Sequence, residues 1–190
     1  MTKQTVLKPI NNILLVLIVL INGYIIIAPF VPAVTYQIAI HSSTSPLLGT
    51  HPDYSQIDRT KNHLVIPSIV LDQAVLVGNN SKLVNQGIWH IPGTSTPDRG
   101  SNTVLAGHRW TYYGAGFFYN IDKIHVSDTM VLVWSGKIYV YKVASIAIVP
   151  PSDTAVNAAS SKNELTIYSC TPLWNAANRL IVVGVLQKIL

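Results

Sequence analysis

The 190 residues, 49% of them apolar, leave room for one ordinary globular domain and one further segment. A net charge of +5, spread along the chain without a basic run, excludes a nucleic-acid surface. The carboxylates at 53, 58, 72, 98, 122, 128, 153 and 164 are scattered singly, so no calcium site is predicted, and the single cysteine, Cys170, excludes an intramolecular disulfide.

Residues 1–12 carry Lys3 and Lys8 and are predicted to be a cytoplasmic N-terminus. Residues 13–30, ILLVLIVLINGYIIIAPF, carry no charge. From Pro9 to Pro32 the chain is long enough to cross a hydrocarbon core of about 30 Å as a helix. A transmembrane signal anchor over 13–31 is therefore expected. A cleavable signal peptide fits less well, because its apolar core should be shorter and AIHSS (39–43) lies well beyond the run. The lysines before the span and their absence just after it predict a single-pass protein whose domain lies outside the cytoplasm. Residues 32–61, rich in Pro, Ser and Thr with no apolar period, are expected to form an extracytoplasmic stalk.

From residue 62 to 190 the pattern changes to short Val- and Ile-rich runs divided by turn signals. These runs are 63–69, 74–77, 102–106, 129–134, 137–149, 164–170 and 179–187. Each has strand length and β-branched composition. WSGK (134–137) predicts a two-residue hairpin turn. Helical signals are few: Ser81 caps a short turn over SKLVNQG, and GFFYNIDKI (116–124) forms another. The fold class is all-β with a few short helices, and the pattern alone is compatible with a barrel or a sandwich.

Cys170 ends the run ELTIYSC (164–170). On count alone it is either a small buried hydrophobe or a reactive thiol. A reactive thiol needs a nearby base or cation. His108 follows the run NTVLA and Gly107, so it too ends an apolar strand. Arg179 opens the run RLIVVGV nine residues after Cys170, and neighbouring strands would set the two opposite each other.

NTVLAGHR, TIYSC and RLIVVG, in this order behind an apolar N-terminal run, resemble the sortase family of cell-surface cysteine transpeptidases. The family's Thr-Leu-x-Thr-Cys pattern is matched by Thr166, Ile167, Tyr168, Ser169 and Cys170, with two conservative changes. The likeness covers about residues 62–187 and is class E- or class D-like. It implies an eight-stranded sortase-type β-barrel over 62–190, anchored in a bacterial cell membrane. It also implies cleavage of a C-terminal LPxTG-like sorting signal of secreted proteins through a thioacyl-enzyme. The acyl group would pass to an amine of a peptidoglycan precursor or a pilin lysine. By that resemblance Cys170 is the nucleophile, His108 the general acid and base, and Arg179 the residue that positions substrate and holds oxyanion charge. Thr103, Ser169, Thr171 and Trp174 flank the expected groove and are assigned substrate contact; Tyr112 and Tyr113 are further candidates to line it. His90 is assigned a structural role, and His41, His51, His63 and His125 none. HPDYSQ (51–56) lacks the residue order of a groove-plugging lid. Two other readings stand beside this one: a hydrolytic cysteine peptidase with the same three residues, and a non-catalytic wall-facing binding domain.

Overall fold

The computed structural model describes residues 3–42, 53–112 and 114–190 and divides into two units, Met1–His41 and Ser42–Leu190. In the first, helix α1 (Lys3–Ile27) leads through a 3₁₀ turn (Ala28–Phe30) into helix α2 (Val31–Ser42). Pro29 and Pro32 do not end the helical path. Each sits in the first turn of a new segment, where a missing N–H has no intrahelical acceptor to lose. Helix thus replaces the stalk expected for 32–42, and 43–52 lie outside the described residues. Pro9–His41 is long and apolar enough to cross a membrane, with a mean hydropathy of 2.7 and none of it buried.

In the second unit the apolar runs become ten strands: β1 (His63–Ile66), β2 (Leu71–Leu76), β3 (Ile88–His90), β4 (Asn102–Ala106), β5 (Trp110–Thr111), β6 (Gly114–Ala115), β7 (Thr129–Trp134), β8 (Lys137–Val149), β9 (Glu164–Thr171) and β10 (Asn178–Ile189). Eight close into a barrel in the order β1-β2-β3-β4-β9-β10-β8-β7, and β5 and β6 form a separate hairpin. The barrel settles the choice left open by the pattern.

Period-two alternation fills the interior. Leu64, Ile66, Leu105, Met130, Leu132, Tyr139, Tyr141, Leu165, Ile167 and Val182 are almost or wholly inaccessible and form one core. Burying a side chain of this kind contributes about 1.5–3 kcal/mol relative to leaving it exposed. The opposite faces of β1, β7 and β8 present Val65, Val131, Val133, Ile138 and Val140, which are covered by Tyr54. Tyr54 of HPDYSQ therefore packs on a wall across the barrel from β9.

Local differences from expectation have local causes. The first run breaks after Ile66 because Pro67 cannot donate to a ladder; a 3₁₀ turn (Pro67–Ile69) and left-handed Val70 (φ 53°) follow. The Ser81 signal yields only a 3₁₀ turn, Ser81–Asn85, capped by the Asn80 side chain. Residues 116–124 hold one short 3₁₀ turn, Ile121–Lys123. The Ser135-Gly136 hairpin forms as expected, with both residues at positive φ.

Two pairings position the site. β4 lies parallel to β9, with Ala106 opposite Tyr168, so both strands end at the same rim. β10 runs antiparallel to β9 with Arg179 directly opposite Cys170.

Candidate active site

Along β9, Leu165 and Ile167 point into the core, so Thr166, Tyr168 and Cys170 share the outer face. Cys170 is half-buried and reduced. Continuing the parallel register past Ala106 brings half-buried His108 alongside it. The two segments are held together there by Gly107 N–H donating to the Tyr168 carbonyl at 3.3 Å and by Ser169 Oγ donating to the Gly107 carbonyl at 2.7 Å. Directly opposed residues on neighbouring strands project to the same side, so Arg179 joins Cys170 on the outer face. Its guanidinium donates to the carbonyls of Ala176 (3.3 Å) and Asn178 (3.2 Å). The fold therefore gathers Cys170, His108 and Arg179 at one rim from three strand ends.

Burial pushes the Tyr168 phenol upward; the Arg179 guanidinium pulls it down and the neighbouring Cys170 pushes it up. Tyr168 thus lies within electrostatic reach of both groups. It stays neutral over the physiological range and presents a hydroxyl and an apolar ring beside the thiol.

Behind Tyr168, on the same outer face, lies a cleft of about 350 Å³. Thr166, Ile181, Val183, Ala147 and Val149 form its floor, and Val156 of the β8–β9 connection walls it. Ala155, Ala158 and Ala159 add small apolar surface, and Asn102, Ser160 and Glu164 add polar groups.

Two tryptophan rings meet between the β9–β10 loop and the segment after β4. Trp174, 69% exposed in the β9–β10 loop, packs against Trp110 with centroids 4.7 Å apart. Trp110 also meets Tyr119 at 5.8 Å. The loop that carries Trp174 is thus joined to the segment that follows His108. Tyr112, in the turn between β5 and β6, is 97% exposed; Tyr113 and His51 lie outside the described residues.

Three assignments are corrected by burial. Ser169 and Thr171 share the parity of Leu165 and Ile167, so their hydroxyls face inward at 2% and 9% exposure. Thr103 is fully buried, and its Oγ1 has no hydrogen-bond partner among the described residues. None of the three offers a hydroxyl to the groove. His90 is buried, bonds the Ser95 carbonyl at 2.8 Å and packs on Trp134.

Asn85 is a site residue that the sequence did not single out. Its Oδ1 lies 2.8 Å from His108 Nε2. The amide can accept from an Nε2–H or, turned over, donate to a bare Nε2, and either way it holds the orientation of the ring. No signal in SKLVNQG announces this contact, because it spans 23 residues and depends on the antiparallel pairing of β3 with β4. General acid–base groups contribute 10²–10⁴-fold, and a mis-set ring loses part of it, so Asn85→Ala should lower kcat about tenfold with KM unchanged. Steady-state kinetics with a model substrate check this; an unchanged kcat denies Asn85 an orienting role.

Among the described residues no cluster of metal-ligating side chains occurs.

The sortase domain family model matches residues 64–187. Sortase D of Bacillus subtilis is 27% identical over 125 residues, covering 64% of this chain and 61% of that protein. Sortase SrtE1 of Streptomyces coelicolor is 36% identical over 101 residues, covering 48% of this chain and 28% of that one. The chain thus spans about three fifths or less of these curated relatives. Among solved structures, sortase C1 of Streptococcus agalactiae superposes with a TM-score of 0.61 at 28% identity over 70% of each chain. Sortase C-3 of Streptococcus pneumoniae superposes with a TM-score of 0.62 at 26% identity, covering 82% of this chain and 80% of that one.

Proposed function

The chain belongs to the sortase family, and from that premise we propose that it is a membrane-anchored cysteine transpeptidase acting on C-terminal, LPxTG-like sorting signals of secreted proteins. The observation that supports the reading is the strand register, which sets Arg179 opposite Cys170 and ends β4, just before His108, at the same barrel rim. A lone thiol facing an oxidising exterior is a liability unless it is used.

The Cys170 thiolate attacks the scissile carbonyl and forms a C–S bond. The oxygen gains negative charge, which the Arg179 guanidinium holds. When the tetrahedral intermediate collapses, the C–N bond breaks and His108 gives its proton to the departing amine. The thioacyl-enzyme is resolved by a second amine. His108 takes the proton of that amine as the new C–N bond forms and the C–S bond breaks. Cysteine and histidine in such a pair titrate together, and neither step requires a cofactor.

The acceptor is an amine of a peptidoglycan precursor or a pilin lysine. The N-terminal helix is the membrane anchor, and Lys3 and Lys8 keep its start cytoplasmic. The catalytic barrel then works outside the bacterial membrane.

The test is product mass spectrometry on an LPxTG-type peptide, with and without added glycine oligomers, diaminopimelate-containing stem peptide or a lysine peptide. The expected result is an amide-linked product with at least one amine and the free acid without it. Prior alkylation of Cys170 should remove both. Free acid alone with every amine identifies a hydrolytic peptidase; no cleavage and an unreactive Cys170 identify a non-catalytic binding domain.

A further inference from the structure

The residues on either side of the proposed reacting pair hold one another. Ser169 precedes Cys170, and its Oγ donates to the carbonyl of Gly107, which precedes His108, at 2.7 Å. Thr171 follows Cys170, and its Oγ1 accepts from Nη1 of Arg109, which follows His108, at 3.2 Å. Both contacts are buried. Cys170 and His108 are thus the middle members of two facing triplets whose outer members are tied together.

The ties begin where the backbone ladder stops. β4 and β9 pair through Ala106 and Tyr168, and the last main-chain contact is Gly107 N–H to the Tyr168 carbonyl. Beyond it, the contacts between the two segments among the described residues are made by the side chains of Ser169, Thr171 and Arg109. Arg109, 7% exposed, is fixed on its far side by Asp122 at 2.5 Å and by the Tyr119 carbonyl at 3.2 Å. A planar guanidinium serves these directions at once, which a lysine ammonium on a flexible stem does not. Its buried charge is compensated by the carboxylate.

We propose that Arg109 is a positioning residue: with Thr171 and Asp122 it forms the second tie of a bracket that sets the Cys170–His108 spacing for proton transfer. The proposal rests on the reading of those two side chains as the reacting pair. Proton transfer requires heavy atoms within about 2.6–3.2 Å. Neither Arg109 nor Thr171 touches substrate in this role; Thr171 acts from inside the barrel.

Thr171→Val keeps shape and volume and removes the acceptor, while Arg109 retains Asp122 and Tyr119. The expected result is a kcat lowered about tenfold at constant KM, because misplacement of a reacting group by 1 Å can cost about 100-fold and the Ser169 tie remains. Thr171→Ser restores the acceptor and should recover most of the rate. Melting curves report whether each variant folds. Should Thr171→Val fail to fold, Asp122→Asn decides, since that side chain is 48% exposed and tolerates change; a kcat about threefold lower at constant KM is expected, a small part of the positioning effect. Wild-type kcat in the deciding variant, a loss that appears in KM alone, or no rescue by Thr171→Ser overturns the bracket. A wild-type enzyme that never forms a thioacyl adduct overturns the reading of the reacting pair and the bracket with it.

Discussion

Gly116→Ala should lower turnover of a sorting-signal peptide about 100-fold, through displacement of His108 by an ångström or so. A Cβ added at Gly116 would lie 2.2 Å from the His108 carbonyl oxygen and 2.6 Å from its carbonyl carbon. Both are backbone atoms, so no rotamer change relieves the contact. Gly116 has no positive φ, so the penalty is one of space alone. The two segments are also stitched together: Gly116 N–H donates to the Arg109 carbonyl and Phe118 N–H to the His108 carbonyl, each at 2.9 Å. Separating them loosens the support of the proposed base. Overpacking of this kind costs about 1–3 kcal/mol, and each kcal/mol lowers the melting temperature by about 2–4 °C in a domain of this size. Gly107→Ala is the informative contrast, because its Cβ would meet the Phe118 ring at 2.7 Å and a side chain can turn aside. Gly107→Ala should therefore lose less of both. Peptide turnover and a melting curve for the two variants check this; a Gly116→Ala enzyme with wild-type rate and stability removes the argument.

The strands were legible where β-branched residues were dense. Residues 102–106, 129–134 and 137–149 become β4, β7 and β8 with the expected bounds. The rim geometry was less legible, because it depends on which strands are neighbours. Parallel pairing of β4 with β9 joins segments more than 50 residues apart, and alternation within one run says nothing of its partner. β3 has three residues, too few to alternate. The inward direction of Ser169 and Thr171 was available, since period two from Leu165 and Ile167 sends both to the core. The sortase-like signature identifies the residues of this strand end but not the face each one takes. Asn85 and Arg109 carried no such signal. The roles proposed for them rest on contacts with His108, Thr171 and Asp122 that only the tertiary structure makes.

Arg179→Ala should cost about 10²–10³ in kcat, the usual effect of removing an oxyanion donor. The register sets Arg179 opposite Cys170 on the outer face, and the two carbonyls of the β9–β10 loop steer its guanidinium from one nitrogen only. The remaining N–H groups of the fork are the ones that the proposed mechanism assigns to the developing charge. Arg179→Lys should recover only part of the rate, because an ammonium keeps the charge but not the planar fork. A second measurement tests the geometry without turnover. The Arg179 cation favours the Tyr168 phenolate and so offsets part of the rise that burial causes. Removing that cation leaves burial and the Cys170 charge acting together, and both disfavour the phenolate. In an alkaline titration followed by tyrosinate absorbance, Arg179→Ala should move one tyrosine to higher pH, and Tyr168→Phe should delete that transition. An unmoved titration contradicts the placement of Arg179 beside Tyr168. A moved titration with undiminished kcat keeps the placement and removes Arg179 from the transition state.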